Sequence, residues 1–159
     1  MCIRDSKGRF IFGNVKAAND YRYFIYRESP TMYFNMLEAE LVKLHSKGVT
    51  HIRVNGIGDT PDAQWAQRFI KMAERMPFMK FWVATRKWNI WGGSLPDNVI
   101  VRYSDGIDGD YTCSVIEPQH LSQHTSACPA TVKDSGVHDC KTCGHVCWSK
   151  VPHVSYVRH

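Results

Sequence analysis

Four cysteines near the carboxyl end of the chain have the spacing of a metal-ligand set. Cys140-Lys141-Thr142-Cys143 is a C-x-x-C, Cys147 follows after three residues, and Cys128 lies eleven residues upstream of the pair. With Trp148 the run reads C-x11-C-x2-C-x3-C-W. A C-x-x-C loop turns two thiolates toward one point, and two further cysteines complete a tetrahedron. A metal or an iron–sulfur cluster is therefore expected to organise the last third of the chain. Zinc and a four-iron cluster both accept four thiolates, and spacing alone does not separate them. The competing reading is a set of unconnected free cysteines. His120, His124, His138 and His145 lie nearby, and one of them could replace a cysteine. Cys2 and Cys113 fall outside the pattern, and Cys113 reads as a buried strand residue.

A second group of residues sits where strands should end. Asn55-Gly56-Ile57-Gly58-Asp59 follows an alternating stretch, Thr85-Arg86 closes an apolar one, and Tyr103-Ser104-Asp105 closes a third. In parallel α/β folds, ligands bind outside the carboxyl ends of the strands. Glycines there let a ligand approach the backbone, Asp59 can accept from a ribose hydroxyl or an amine, and Arg86 can pair with a carboxylate or phosphate. Asn55, Gly56, Gly58, Asp59, Thr85 and Arg86 are thus the candidate ligand rim, with Asp59 and Arg86 expected to face a shared cleft. Taken singly, each motif has a plainer explanation. G-x-G lacks the third glycine of a dinucleotide fingerprint and reads as a tight turn with a capping Asp, and Arg86 reads as a surface ion pair. His51 and Arg53 alternate with Ile52 and Val54, so they should share one strand face.

The elements that would position these groups follow from periodicity. Residues 13–28 and about 32–47 read as helices separated by Ser29-Pro30, with Phe34, Leu37, Leu41 and Leu44 as the buried stripe of the second and Gly48 at its end. Tyr21, Tyr23, Phe24 and Tyr26 read as core and groove filler. A strand over 50–55 leads to a helix with Thr60 as cap and Pro61 at its first position, burying Ala66, Phe69, Ile70, Ala73 and Met76. Strands are expected near 78–85, 98–103 and 111–116. Helices between the strands imply right-handed crossovers and a mainly parallel sheet of partial β/α-barrel type. Beyond Pro118 the composition turns to His, Ser, Cys and Gly without periodicity, so 7–118 reads as the α/β domain and 119–159 as a cysteine-rich metal module packed on it.

The chain has 159 residues, 43% hydrophobic and 22% charged, enough for a real core and unlike a disordered segment. The formal charge of +5 permits contact with nucleic acid without arguing for it, because the basic residues are scattered. No apolar run reaches the roughly 20 residues that cross a bilayer, and no secretory leader is visible, so a cytoplasmic location is expected. In a reducing compartment, clustered cysteines point to metal or redox chemistry rather than disulfides.

The succession His51-Ile-Arg-Val-Asn-Gly-Ile-Gly-Asp59, Phe81-Trp-Val-Ala-Thr-Arg86 and Leu95-Pro-Asp-Asn-Val99 resembles the phage gene product 88 family. So does the ending: Cys128-Pro129, the Cys140/Cys143/Cys147-Trp148 set, Val151-Pro-His-Val-Ser-Tyr156 and His159. The resemblance implies a relative of radical S-adenosylmethionine enzymes in the host cell of a phage: an incomplete β/α barrel, iron–sulfur chemistry and S-adenosylmethionine as ligand. It also implies a cysteine motif upstream of the first helix, where this sequence has only Cys2. Residues 1–6 resemble translated adapter sequence, and the expectation is a chain truncated at its amino end. The alternative is a zinc-stabilised binding module that contacts nucleic acid or a host protein. Substrate and reaction are not legible in the residues.

Overall fold

The computed structural model describes residues 13–55, 59–104, 110–116, 118–123, 127–132, 135–137, 143–144 and 146–157. Helices α1 (Gly13–Glu28) and α2 (Pro30–His45) come first. Ser29 parts them because Pro30 has no N–H to continue α1, while its fixed φ suits the first position of α2. Two residues past the Ser46 C-cap of α2, Gly48 takes a φ of 81°, a left-handed turn that glycine adopts without steric cost. Strand β1 (His51–Val54), helix α3 (Ala63–Glu74) and strand β2 (Lys80–Thr85) form a β-α-β unit. Strands β3 (Val99–Ser104), β4 (Thr112–Ile116) and β5 (His153–Val157) complete the sheet.

The sheet is five-stranded, ordered β1-β2-β3-β4-β5, with every neighbouring pair parallel. It curls into a half-barrel, as the expected partial-barrel fold requires. Two features depart from the expectation. First, β3 and β4 are joined by only seven residues, too few for a helical crossover. Stagger makes the short connection workable: only Tyr103↔Thr112 and Ser104↔Cys113 pair, so β4 starts where β3 ends. Such stagger is what curls a sheet toward closure. Second, the segment read as lacking periodicity contributes β5, which pairs with β4 along its whole length. Val154, Ser155, Tyr156 and Val157 are all buried there.

One face of the sheet is helical. Ile52, Val54, Phe81, Val83, Val99 and Val101 pack with Tyr26, Phe34, Leu41, Trp65, Phe69 and Met72 in a single core. The α3 stripe is wider than its sequence suggested, since Trp65 and Met72 are buried beside Ala66, Phe69 and Ala73. The cap of α3 is Asp62 rather than Thr60, and the helix begins at Ala63. Asp62 wins because its carboxylate accepts from Trp65 N at 2.7 Å while also taking the Tyr26 hydroxyl at 2.8 Å, which ties α1 to the start of α3. Burial and that carboxylate push the Tyr26 hydroxyl up to about 12. Of the α1 aromatics read as filler, only Tyr26 is buried; Tyr21, Tyr23 and Phe24 are 64%, 51% and 58% exposed. No helix among the described residues is long and apolar enough to cross a membrane.

Candidate functional site

Two polar constructions are built on this sheet, one at its carboxyl edge and one on the face opposite the helices. At the edge, Asp59 joins the ends of β1 and β2. Its Oδ1 accepts from Thr85 Oγ1 at 2.6 Å and from Thr60 N at 2.7 Å, and its Oδ2 accepts from Arg86 N at 2.9 Å. Thr85 is 2% exposed and its hydroxyl also accepts from Lys87 N at 3.0 Å. Lys87 Nζ returns to the carbonyls of Thr60 and Pro61, both at 2.8 Å. Asn55 sits at φ 53°, unusual for a residue with a side chain, and its amide donates to Thr60 Oγ1 at 2.9 Å. Ser104, at the end of β3, donates to Thr85 O at 3.3 Å.

The rim residues expected from sequence are therefore placed as follows. Asn55, Asp59, Thr85 and Arg86 form one connected group at the carboxyl edge of β1 and β2, and Gly56 and Gly58 lie outside the described residues. Asp59 meets the backbone of Arg86, whose side chain is exposed. The carboxylate thus spends three acceptor positions on the fold itself. Lys87 was not foreseen, although a second cation directly after Arg86 is the trace it leaves in the sequence.

On the other face, Trp82, Cys113, Cys128, Cys147, Trp148, Val154 and Tyr156 form a second buried cluster. His51 and Arg53 share this face, as their alternation required: the Arg53 guanidinium lies 4.8 Å from the Trp82 ring centroid and His51 meets Trp148 edge-on at 5.6 Å. Cys128 is held by the outer edge of β5. Ala127 bridges to Ser155, Cys128 N donates to Ser155 O at 2.7 Å, and Thr131 Oγ1 donates to Cys128 O at 2.8 Å. Cys147 lies in the turn Val146–Trp148, and its Sγ is 3.1 Å from the Tyr156 hydroxyl. Burial, then the neighbouring Cys147, push that hydroxyl well above the usual tyrosine range.

Arg102 holds the Cys147 turn in place. It is fully buried at 0% exposure. Its Nε donates to Cys147 O at 3.0 Å, Nη1 to Val151 O at 2.8 Å and Thr112 O at 3.4 Å, and Nη2 to Ser149 O at 2.8 Å and Val146 O at 3.4 Å. Burial lowers its pKa, while Tyr156 and Cys147 act in the opposite sense. No carboxylate pairs with it among the described residues. Sequence reading passed over Arg102 and Tyr156. The available signal was a lone arginine inside Val99-Ile100-Val101-Arg102-Tyr103, a charge placed mid-strand in an apolar run.

Of the four expected metal ligands, Cys128, Cys143 and Cys147 are buried, at 1%, 7% and 2% exposure, and Cys140 lies outside the described residues. Cys128 and Cys147 share a cluster with Cys113, as a buried strand cysteine should, whereas Cys143 belongs to neither apolar cluster. Among the described residues no three His, Cys, Asp or Glu side chains form a group that could hold a metal. The expected module is therefore not assembled from these residues alone. Arg102 Nε meets the backbone carbonyl of buried Cys147, and Trp82 Nε1 is a buried donor without an acceptor among the described residues.

A family model, gene product 88, matches residues 1–150. The chain belongs to the gene product 88 family. That match takes in the carboxyl-edge group and the cysteines, stops before β5, and agrees with the resemblance read from the motifs. No curated protein and no solved structure matches the chain.

Proposed function

We propose that this gene product 88 protein is radical-S-adenosylmethionine-like. In this reading a polar ligand of the S-adenosylmethionine type binds across the carboxyl edge of β1, β2 and β3. The cysteines Cys128, Cys140, Cys143 and Cys147 hold a zinc ion or an iron–sulfur cluster beneath the sheet. The observation that carries the reading is the all-parallel, curled sheet whose carboxyl edge gathers Asn55, Asp59, Thr85 and Arg86 into one polar group. Asp59 and Thr85 order that edge. Arg86 supplies positive charge for a carboxylate, and the glycines Gly56 and Gly58 are the sequence's provision for close approach. A bound iron–sulfur cluster supplies single electrons, whereas zinc supplies only cross-linking.

The test is anaerobic reconstitution of the full chain with iron and sulfide, followed by calorimetric titration with S-adenosylmethionine. Wild type should bind, and Arg86→Ala should bind at least tenfold more weakly with an unchanged melting temperature. Absence of binding by reconstituted wild type would remove the ligand assignment. Strong visible absorption after reconstitution marks a cluster, and its absence with retained zinc marks a structural ion.

One observation favours a second reading, a zinc-stabilised module that contacts a host protein or nucleic acid. Tyr21, Tyr23 and Phe24 are exposed aromatic side chains on α1, and Met32 and Met36 are about half exposed on α2. Association that is lost on replacing these residues, with no binding of S-adenosylmethionine, would favour it.

A further inference from the structure

The hydrogen bonds at the carboxyl edge close into a ring, and one exposed lysine closes it. Thr60 N and Thr85 Oγ1 both donate to Asp59 Oδ1, at 2.7 and 2.6 Å. Lys87 N donates to Thr85 Oγ1 at 3.0 Å, and Lys87 Nζ returns across the edge to Thr60 O at 2.8 Å. The circuit runs from Thr60 through Asp59, Thr85 and Lys87 back to Thr60. It ties the connection that follows β1 to the residues that follow β2. A second bond from Nζ, to Pro61 O at 2.8 Å, doubles the closing link. Thr60 is fully buried and its hydroxyl accepts from the Asn55 amide, so the lysine reaches a fixed anchor. Arg86 stands in the chain between Thr85 and Lys87, and its own N donates to Asp59 Oδ2 at 2.9 Å. Three consecutive residues are thus pinned, while the Arg86 side chain is exposed at the edge. A guanidinium recognises a carboxylate through a planar two-point fork, so its fit depends on where its backbone is held. The Lys87 ammonium, with two of its three donors on carbonyls, supplies that hold.

We propose that Lys87 is a positioning residue for Arg86, its clamp on Thr60 and Pro61 aiming the guanidinium at the carboxylate of the bound ligand. The inference rests on the S-adenosylmethionine half of the proposed function and adds a residue to that site. Lys87 makes no contact with the ligand itself. It acts through Arg86, so the two side chains serve one interaction.

The full chain, reconstituted with iron and sulfide, is titrated calorimetrically with S-adenosylmethionine and with 5′-methylthioadenosine, which keeps the adenosyl group and lacks the carboxylate. The proteins are wild type, Lys87→Met, Lys87→Arg, Arg86→Ala and the double variant of Lys87→Met with Arg86→Ala. Lys87→Met should bind S-adenosylmethionine about tenfold more weakly than wild type, the equivalent of one hydrogen bond to a charged group. Lys87→Arg, which keeps charged donors for the two carbonyls, should stay within about threefold of wild type, well short of that loss. Residues that serve one interaction are not additive, so the double variant should bind within about threefold of Arg86→Ala alone. Methylthioadenosine should bind wild type and Lys87→Met equally. Three results would each overturn the positioning role and leave the ligand assignment standing: undiminished affinity of Lys87→Met for S-adenosylmethionine, additive losses in the double variant, or an equal loss for methylthioadenosine. A wild type that binds no S-adenosylmethionine would remove the ligand assignment, and the inference with it. Should Lys87→Met not fold, Lys87→Gln, whose shorter side chain carries no charge, takes its place in the cycle.

Discussion

The helical face of the sheet buries Phe69, Phe81, Val83 and Val101 among Trp65, Met72 and Leu41, side chains that recur along the chain at strand and helix intervals. The cysteine face buries Trp82, Val154 and Tyr156 under a segment with short turns and no regular period, secured by the fork of one guanidinium. The first is held by many small, interchangeable contributions, each of which can be weakened without loss of the rest. The second concentrates its attachment in a few polar contacts, each of which leaves a buried group unsatisfied when removed. Sites that must hold a ligand in fixed geometry are better served by the second kind of construction, because a polar clamp specifies position where apolar packing specifies only volume.

The largest test of this contrast is Arg102→Met. It keeps much of the apolar stem and strands the five carbonyls that the guanidinium serves. The expected loss is about 4 kcal/mol, since a buried acceptor left unsatisfied costs about 1–3 kcal/mol and some of these will find water. Urea denaturation followed by tryptophan fluorescence measures it. A loss below about 1 kcal/mol would show that the cysteine face is held by its apolar contacts after all.

Asp59→Ala comes next. It removes three hydrogen bonds to a carboxylate at the carboxyl edge, and the edge is half open to water, so the expected loss is about 2 kcal/mol by urea denaturation. The strained Asn55 is held partly through Thr60, which Asp59 also engages. Asn55→Gly, which removes the conformational penalty along with the side-chain bond, should therefore be less harmful than Asp59→Ala.

Legibility in the sequence follows the same division. The helices, the first four strands, the parallel order and the carboxyl-edge placement of Asp59, Thr85 and Arg86 were visible because period and turn chemistry are local properties. Strand β5 was not, since His153-Val-Ser-Tyr-Val157 follows a long polar stretch, residues 117–152, that separates it from its partner β4. Thr60 was preferred to Asp62 as cap because Pro61 looks like a first helical residue, and the deciding Tyr26 contact comes from another helix. Arg102 was invisible for the strongest reason: all of its partners lie ten to forty-nine residues away. Cysteine spacing picked out the buried Cys128, Cys143 and Cys147 and could not foresee that Cys113 would join the cluster.

The third test returns to the helical face, where a polar contact supports the apolar core. Tyr26 is 3% exposed and donates to Asp62. Tyr26→Phe should cost about 1.5 kcal/mol at neutral pH, the range for a hydrogen bond to a charged group. Its hydroxyl is raised from 10.0 to about 12, so the folded state holds that proton more tightly than the unfolded state. The associated stability is complete below pH 10 and is lost as pH rises toward about 12. Wild type should therefore lose stability over that window, and Tyr26→Phe should lose less. Parallel pH profiles in the two proteins would place the dependence on other groups.

The smallest effect is expected two residues away on the same helix. Phe24 is 58% exposed while Ile25 and Tyr26 are buried, so neighbouring positions on α1 belong to opposite environments. Phe24→Ser removes apolar surface that packs against little of this chain, and Phe and Ser have similar helix propensities. Stability should stay within about 0.5 kcal/mol of wild type, the range of a surface substitution away from special features. The same change should lower any tendency of the protein to self-associate, because Tyr21, Tyr23 and Phe24 are exposed together on one helix. Sedimentation of the variant beside wild type reads that directly. A stability loss above about 1 kcal/mol would instead mean that the outward side of α1 is part of the folded core, and the regular face would then extend farther around the helices than its burial indicates.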